Sequence, residues 1–409
     1  MALDPEELKR RRQERDRRRK QRQRTLIIRL VIAGAVLVAL AVGIFLFATL
    51  RESAPEQEQT EQTYPADTVI RLAAAGDLNI TDGVVQSGGE ALDYTETFID
   101  VAHLLADADI SVVNFEGNLT GAPYGAENFS APQSMAQALA NAGVDLVQLA
   151  NSNSISEGIL GLSETIDGIR AAGMEPLGVY ADQAAYSAGK GYTFREVQGI
   201  RIAFVAFTKG MDGMTLPAGS ENCVNVLYSD YDSNYQTVNE EKINAVLDAA
   251  RSQSPDLVVA LLHWGSEFND TISESQEKIT ALLQEKGVDA IIGTHSHYVQ
   301  KMTYDEENGT FVAYSLGDFF GDAQRAGSEY SVILELEITK SGADGSTRIT
   351  GFDYTPIFTV TDPEQPYRVV RIAEAMAAYE ASYMKKVSAE AYEAMKYALT
   401  RIDKRISGE

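Results

Sequence analysis

Two histidines two residues apart, His295 and His297 in GTHSHYVQ, follow a short apolar run, DAIIG. Neutral imidazole is the commonest metal ligand in proteins. The chain has 4 histidines, and a third, His263, also follows an apolar run, in VVALLHWGSEF. Asp77 in AAAGDLN, Glu116 in VVNFEGN, and Asn151 and Asn153 in QLANSNS stand at the ends of three further runs. Alone, each has an ordinary explanation: an Asp after Gly forms turns, and a strand-end His is commonly a hydrogen-bonded structural residue. Carboxylate, amide and imidazole groups at five strand ends are instead the makings of one ligand set, because open α/β sheets bind ligands beyond the carboxyl ends of their strands. None of these groups is a thiolate. The nitrogen and oxygen donors suit a divalent Mn, Fe, Zn or Mg ion, one or two in number. Two such ions can activate a bridging water and clamp a phosphoryl oxygen. The fourth histidine, His103, lies in the helix-like FIDVAHLLADA and is read as a helix-surface or core residue.

These residues need strands to carry them. Apolar runs at 68–76, 110–115, 144–150, 200–207, 256–262 and 288–293 read as strands. Helical patterns at 134–143, 161–173 and 275–287 lie between several of them, two ending in a Gly suited to a helix C-terminus and followed at once by a strand. The alternation predicts an α/β domain with largely parallel strands over 68–360. TFVAYSLGDFF and YSVILELEIT add later strands, expected to be antiparallel. Ile372, Met376, Tyr379, Tyr383, Val387 and Ala391 recur at spacings of three and four, predicting a helix or helix pair over 369–406, within a helical extension at 361–409. That extension is expected to pack on the domain, with a docking surface for a membrane partner as the alternative.

The N-terminal part is of another kind. Residues 9–24 hold 11 Lys/Arg, and 30–50 are 21 residues without a charge. That length crosses a hydrocarbon core as a helix. The basic flank predicts a cytoplasmic segment at 1–29, a single transmembrane helix at 30–50, and an extracellular remainder anchored to the cytoplasmic membrane. Residues 51–67, rich in Glu and Gln, read as a stalk. The first 50 residues hold 12 basic and 5 acidic groups, leaving 23 against 54, a net of −31 for the rest. Such a domain has no electrostatic footprint for nucleic acid. No Lys/Arg cluster stands out in it, so an anionic exopolymer is expected to bind only through bridging cations. The single cysteine, Cys223, excludes an intrachain disulfide.

In order, GD, NFEG, the Asn-rich third strand end, HWGSEF, GTHSHYVQ and YSLGDF resemble the CapA family of capsule-synthesis proteins, named for poly-γ-glutamate capsule biosynthesis and placed among the calcineurin-like metallophosphoesterases. The resemblance covers roughly 68–322. It implies a four-layer α/β/β/α sandwich of metallophosphoesterase type, with the site at one edge. It also implies that Asp77, Glu116, His263, His295 and His297 bind metal, with Asn151 retained beside them. Trp264 and Glu267 would shape the pocket wall, and Gln300 and the SLGDF turn at 315–319 would support the rim.

The departures sit at the third strand end. The family pattern A-N-N-H-x-x-D-x-G reads ANSNSISEG here, so Ser152 replaces an Asn, Asn153 a His and Ser156 an Asp. Ser is a poor metal ligand, and Asn cannot transfer a proton at neutral pH. Asp318 stands where the family has Asn, adding a carboxylate. Asn153 and Asp318 are therefore the positions on which catalysis would turn. His295 and His297 are expected to hold one metal ion together, with the two-metal arrangement incomplete. Three functions compete: an accessory protein of capsule assembly working with membrane capsule-synthesis proteins, an active surface hydrolase of phosphoesters or γ-glutamyl amides, and a metal-free binding domain.

Overall fold

The computed structural model describes residues 64–408 except 324, 363–364 and 382–386. The chain divides into two units, Met1–Pro65 and Ala66–Glu409. The basic segment, the expected span at 30–50 and nearly all of the stalk lie outside the described residues. Among those described, no helix is long and apolar enough to cross a membrane.

The second unit is built on two sheets. The first begins with β1 (Thr68–Asn79), β2 (Ile110–Glu116), β3 (Leu146–Gln148) and β4 (Glu175–Leu177), all parallel. The chain then crosses to the second sheet, with β5 (Tyr192–Val197), β6 (Ile200–Thr208), β7 (Leu257–His263), β8 (Ala290–Thr294), β9 (Met302–Asp305) and β10 (Thr310–Ala313). There β6, β7, β8 and β10 are parallel, and β5 and β9 are antiparallel edges. It returns to the first sheet with β11 (Asp318–Phe320), β12 (Tyr330–Lys340), β13 (Thr347–Asp362) and β14 (Gln365–Arg371). The first sheet runs β14-β13-β12-β1-β2-β3-β4, with β11 beside the end of β1.

All six expected strands are present. The sheets are mixed: β1 to β4 and β6, β7, β8 and β10 run parallel as expected, while β12, β13 and β14 add an antiparallel part to the first sheet. Within the two later runs, β12 is antiparallel as expected, whereas β11 pairs parallel with β1 and β10 parallel with β8.

Alternation along the strands sorts the core into layers. Leu72, Ala74, Val112, Phe204, Val259 and Ile292 meet between the sheets. Ala73, Val113 and Phe115 point to the other side of the first sheet. There they meet helices α1 (Asp82–Gln86), α2 (Ala102–Ala106), α3 (Gln133–Ala142) and α4 (Gly158–Ala171). Helix α5 (Gln183–Gly189) buries no residue. Val205, Ala260 and Leu262 face outward from the second sheet, against α6 (Glu240–Arg251) and α7 (Glu274–Glu285). The result is helix, sheet, sheet, helix.

The C-terminal pattern resolves into α8 (Ile372–Glu380) and α9 (Ala389–Ser407). The expected helical start at 369 is corrected. Val369 and Val370 lie in β14 and are buried in different core layers, as successive strand residues must be. The boundary placed at 360/361 falls inside β13. Met395, Ala398, Ile402 and Ile406 of α9 complete the core between the sheets, so this helix is part of the domain. His103 is exposed on α2.

At Gly76, β1 changes partner from β12 to β11. A Cβ there would lie 1.7 Å from the carbonyl oxygen of Gly317. Backbone cannot move aside as a side chain can. Gly76→Ala is expected to cost at least about 3 kcal/mol, read as a lowered urea midpoint, and to separate Asp77 from Asp318.

Candidate metal centre

The carboxyl ends of strands from both sheets meet at one rim. β1 and β2 bring Asp77 and Glu116, β7 and the turn after β8 bring His263, His295 and His297, and β11 brings Asp318. All six are buried. Their donor atoms form two groups, each within 4.8 Å: Glu116 with His263 and His295, and Asp77 with His297 and Asp318. The expected pairing of His295 and His297 on one ion is thus corrected, since they serve different groups. Both residues have left-handed backbones, with φ of 89° and 58°. Such conformations cost about 1–3 kcal/mol each in residues other than Gly and cluster at functional sites. They turn what reads as one face of a strand into two directions.

In the first group His263 is the hub. Its Nε2 lies 3.2 Å from Glu116 Oε1, 3.0 Å from His295 Nδ1 and 3.1 Å from the Ser152 hydroxyl. One proton on that nitrogen cannot serve three electron-pair donors at once, whereas a metal ion can. Separations of this size match the edges of a coordination polyhedron with bonds of about 2.1 Å. In the second group His297 Nδ1 is 2.8 Å from Asp318 Oδ1. Asp77 links the groups: its Oδ1 is 3.6 Å from His263 Nδ1 and its Oδ2 accepts from the His295 backbone N–H at 2.8 Å. Asn114 Nδ2 also donates to Asp77 Oδ1, at 2.6 Å.

Each group holds one buried carboxylate oxygen without a hydrogen-bond partner, Glu116 Oε2 and Asp318 Oδ2. Buried polar atoms are rarely left so. Two orphan oxygens beside three imidazoles fit divalent cations.

Protons show the same demand. Burial pulls the His263 imidazole down, but Glu116 and Asp77 outweigh it and raise it to about 9. Burial acts likewise on His297, and Asp318, Glu116 and Asp77 raise it to about 10. Burial, then the charges of His263, Lys209 and His297, hold His295 well below its ordinary value. Burial pushes Asp77 up, yet His263, His297 and the His295 amide together hold it below its ordinary value.

The remaining expected residues are placed as follows. Asn151 lies in the rim with its amide engaged: Nδ2 donates to Asn114 Oδ1 (3.1 Å) and the Phe115 carbonyl (2.7 Å), and Oδ1 accepts from the Asn153 N–H (3.0 Å). Its observed role is to brace the strand ends. Asn153 is buried, with Nδ2 3.5 Å from the Glu116 carbonyl. Trp264 does not form the pocket wall. It follows His263 and points to the opposite face, stacked on Tyr314 in the outer core, with Nε1 donating to the Tyr314 carbonyl at 2.9 Å. The ring stacked on His297 is Phe268, at 4.7 Å. Glu267 is exposed, and its charge reaches Lys209. Gln300 braces the rim from behind: Nε2 donates to the Asn269 carbonyl at 2.8 Å, and Oε1 accepts from Gln276 at 3.1 Å.

Lys209 was missed. Its Nζ lies 3.1 Å from His295 Nε2 and donates to the Gly265 carbonyl at 3.1 Å. It follows β6, the one expected strand whose end carries no predicted site residue.

The profile of the family described as "Bacterial capsule synthesis protein PGA_cap" matches residues 71–323, more than half of the chain. The PGA biosynthesis protein CapA of Bacillus subtilis is 27% identical over 209 residues, 51% of this chain and 49% of that protein. The capsule biosynthesis protein CapA of Bacillus anthracis is 24% identical over 215 residues, 53% and 49% of the two chains. The chain thus spans about half the length of these curated relatives. Among solved structures, the calcineurin-like phosphoesterase YfkN of Bacillus subtilis aligns with a TM-score of 0.44 at 15% identity, covering 83% of this chain and 98% of that one.

Proposed function

This chain belongs to the bacterial capsule synthesis protein family PGA_cap, and from that membership we propose a membrane-anchored, extracellular accessory protein of capsule or exopolymer assembly, of the poly-γ-glutamate type, with a metal centre and a degenerate catalytic motif. One observation carries the metal part of this reading. Six buried ligand-type side chains from both sheets form two groups, each with an orphan carboxylate oxygen. Glu116, His263 and His295 would hold one ion, and Asp77, His297 and Asp318 the other. A bound divalent ion would polarise a phosphoryl or carbonyl oxygen.

The degenerate part rests on Ser152 and Asn153. Ser152 faces His263 at 3.1 Å, the place from which an Asn side chain would reach the first group. Asn153 offers no titrating group for a leaving oxygen. The charged span pattern at 1–50 supports the anchor and the single-pass orientation, and it supports membrane capsule-synthesis proteins as partners. The net charge of −31 argues against nucleic acid.

The second reading, an active surface hydrolase, is favoured by Lys209. An ammonium beside the metal groups is suited to an anionic substrate oxygen and supplies a charge that Asn153 does not.

A strain lacking the gene tests the reading. Complementation with the wild-type chain is expected to restore surface polymer, and His263→Ala/His297→Ala is expected to fail despite equal protein levels. Protease added to wall-stripped cells is expected to release the domain by cutting in the stalk. Full polymer with the double variant would remove the metal centre from the function, and a protected domain would overturn the orientation.

A further inference from the structure

Helix α9, the residue after it and the 270–272 and 301 segments line an open cavity of about 330 Å³. Lys301, Arg401, Lys404 and Arg405 line it, against the single carboxylate of Asp270. Four cations around one anion are unexpected in a region whose net charge is −31. Asp270 Oδ2 accepts from Arg401 Nη2 and Arg405 Nε, both at 3.3 Å. The Arg405 guanidinium is held over the rings of Tyr298 and Tyr330, at 4.4 and 5.4 Å. Lys301 and Lys404 make no ion pair with any described residue.

The arrangement is built by the fold. Ile402 and Ile406 are buried between the sheets, which turns Arg401 and Lys404 outward on one side of α9 and leaves Arg405 largely buried beneath them, against Asp270 and the two tyrosines. Lys301 then comes from the segment that carries the metal-site histidines, four residues after His297. Phe268, stacked on His297, is two residues before Asp270. The same two segments therefore line both the metal rim and the cationic cavity. Helix α9 lies beyond the family-matched residues 71–323, so half of this cavity belongs to the chain's own C-terminal part.

The geometry points to a subsite for an acidic polymer, in which Lys301, Lys404 and the partly exposed Arg401 take carboxylates of one chain, while Arg405, held by Asp270, the Gly327 carbonyl and two tyrosine rings, adds positive charge from behind. The identity of the polymer, a γ-linked polyglutamate, rests on the function proposed above. Two ammonium groups without an ion-pair partner among the described residues, beside two guanidiniums held by Asp270, suit a flexible chain with regularly repeated charge, because lysine serves as an adaptable point charge and arginine as an oriented fork. Direct binding here needs no bridging cation.

The test uses the full chain in detergent with a chelator present, and measures anisotropy of a fluorescent γ-glutamate oligomer at low and moderate salt. Wild type is expected to bind, with affinity falling as salt rises. Lys301→Gln/Lys404→Gln is expected to weaken binding by at least about tenfold and to flatten the salt dependence. Lys301→Arg/Lys404→Arg is expected to retain it. The basic N-terminal segment contributes equally to all three proteins, so the difference reports the cavity. Equal binding by the glutamine variant overturns the proposal. Binding of inorganic polyphosphate but not of the γ-glutamate oligomer overturns the assignment to carboxylates. Because metal is chelated, failure here is separate from failure of the metal centre. Failure of the capsule reading appears instead in the complementation assay.

Discussion

Titrating the full chain with Mn²⁺ or Zn²⁺ at neutral pH is expected to fill both groups and to release about one proton per filled site, two in all. The protons come from His263 and His297, which the neighbouring carboxylates raise to about 9 and about 10. Metal requires the free electron pair, so it must displace them. Calorimetry in buffers of different ionisation enthalpy reads that release directly. At a metal concentration about a thousandfold above the dissociation constant, the fold gains about 4 kcal/mol. The pH dependence has opposite signs in the two forms. Both histidines have folded values above the unfolded value of about 6.5. Their contribution to the metal-free fold is therefore complete below about pH 6.5 and is lost as pH rises through about 9 to 10. Metal binding instead tightens over that range, as protons cease to compete. His263→Ala is expected to abolish binding at the Glu116 group and His297→Ala binding at the Asp77 group, each leaving one equivalent. A chain that stays metal-free with Mn²⁺, Zn²⁺, Fe²⁺ and Mg²⁺ sinks the metal centre.

Restoring the family pattern at the third strand end is expected to raise hydrolysis of a generic aryl phosphoester by about 10²–10⁴-fold, the usual contribution of a positioned general acid. Asn153→His supplies the proton donor beside the Glu116 backbone. Ser152→Asn places an amide oxygen where the hydroxyl now sits 3.1 Å from His263. Since both changes act on one centre, the double variant is expected to exceed the product of the singles. Metal content measured alongside separates gain of an ion from gain of an acid. Brisk turnover by the wild type would show that Lys209 or Asp318 already fills the gap, and the accessory reading would fall. A double variant that gains metal without activity would remove the hydrolase alternative's best support.

The strands that carry the ligands were legible because each is a short apolar run followed by one polar, metal-capable residue. Sheet direction was legible only in part: β10 and β11, expected to be antiparallel, pair parallel with β8 and β1, because alternation records which side is buried and not which way the neighbour runs. The sorting of His295 and His297 was hidden too. A spacing of two implies one face only while the backbone stays extended, and here it is left-handed at both positions. Lys209 left a faint trace, as the polar residue after an otherwise empty strand end. The cationic cavity left only a partial trace: Arg401, Lys404 and Arg405 stand within five residues, but Lys301 and Asp270, which complete the cavity with them, are far away along the chain. At 369–371 a helical period and a strand period both fit, and pairing with β13 decided for the strand.

The place of β1 in its sheet governs how the chain can fold as it is made. Leu72 lies between Ile110 on one side and Leu336 on the other. Its second neighbour is synthesised about 260 residues later, roughly 10 to 50 s at 5–20 residues per second. Until then the nascent first sheet stops at β1, an open apolar edge of the kind that pairs with other chains. The space between the sheets stays uncapped longer still, until Met395 to Ile406 have emerged. The domain therefore cannot mature in stages from its N-terminus. Helix α9 closes the space between the sheets, and a chain stopped before it is released with an unfinished interior, as a substrate for chaperones and proteases.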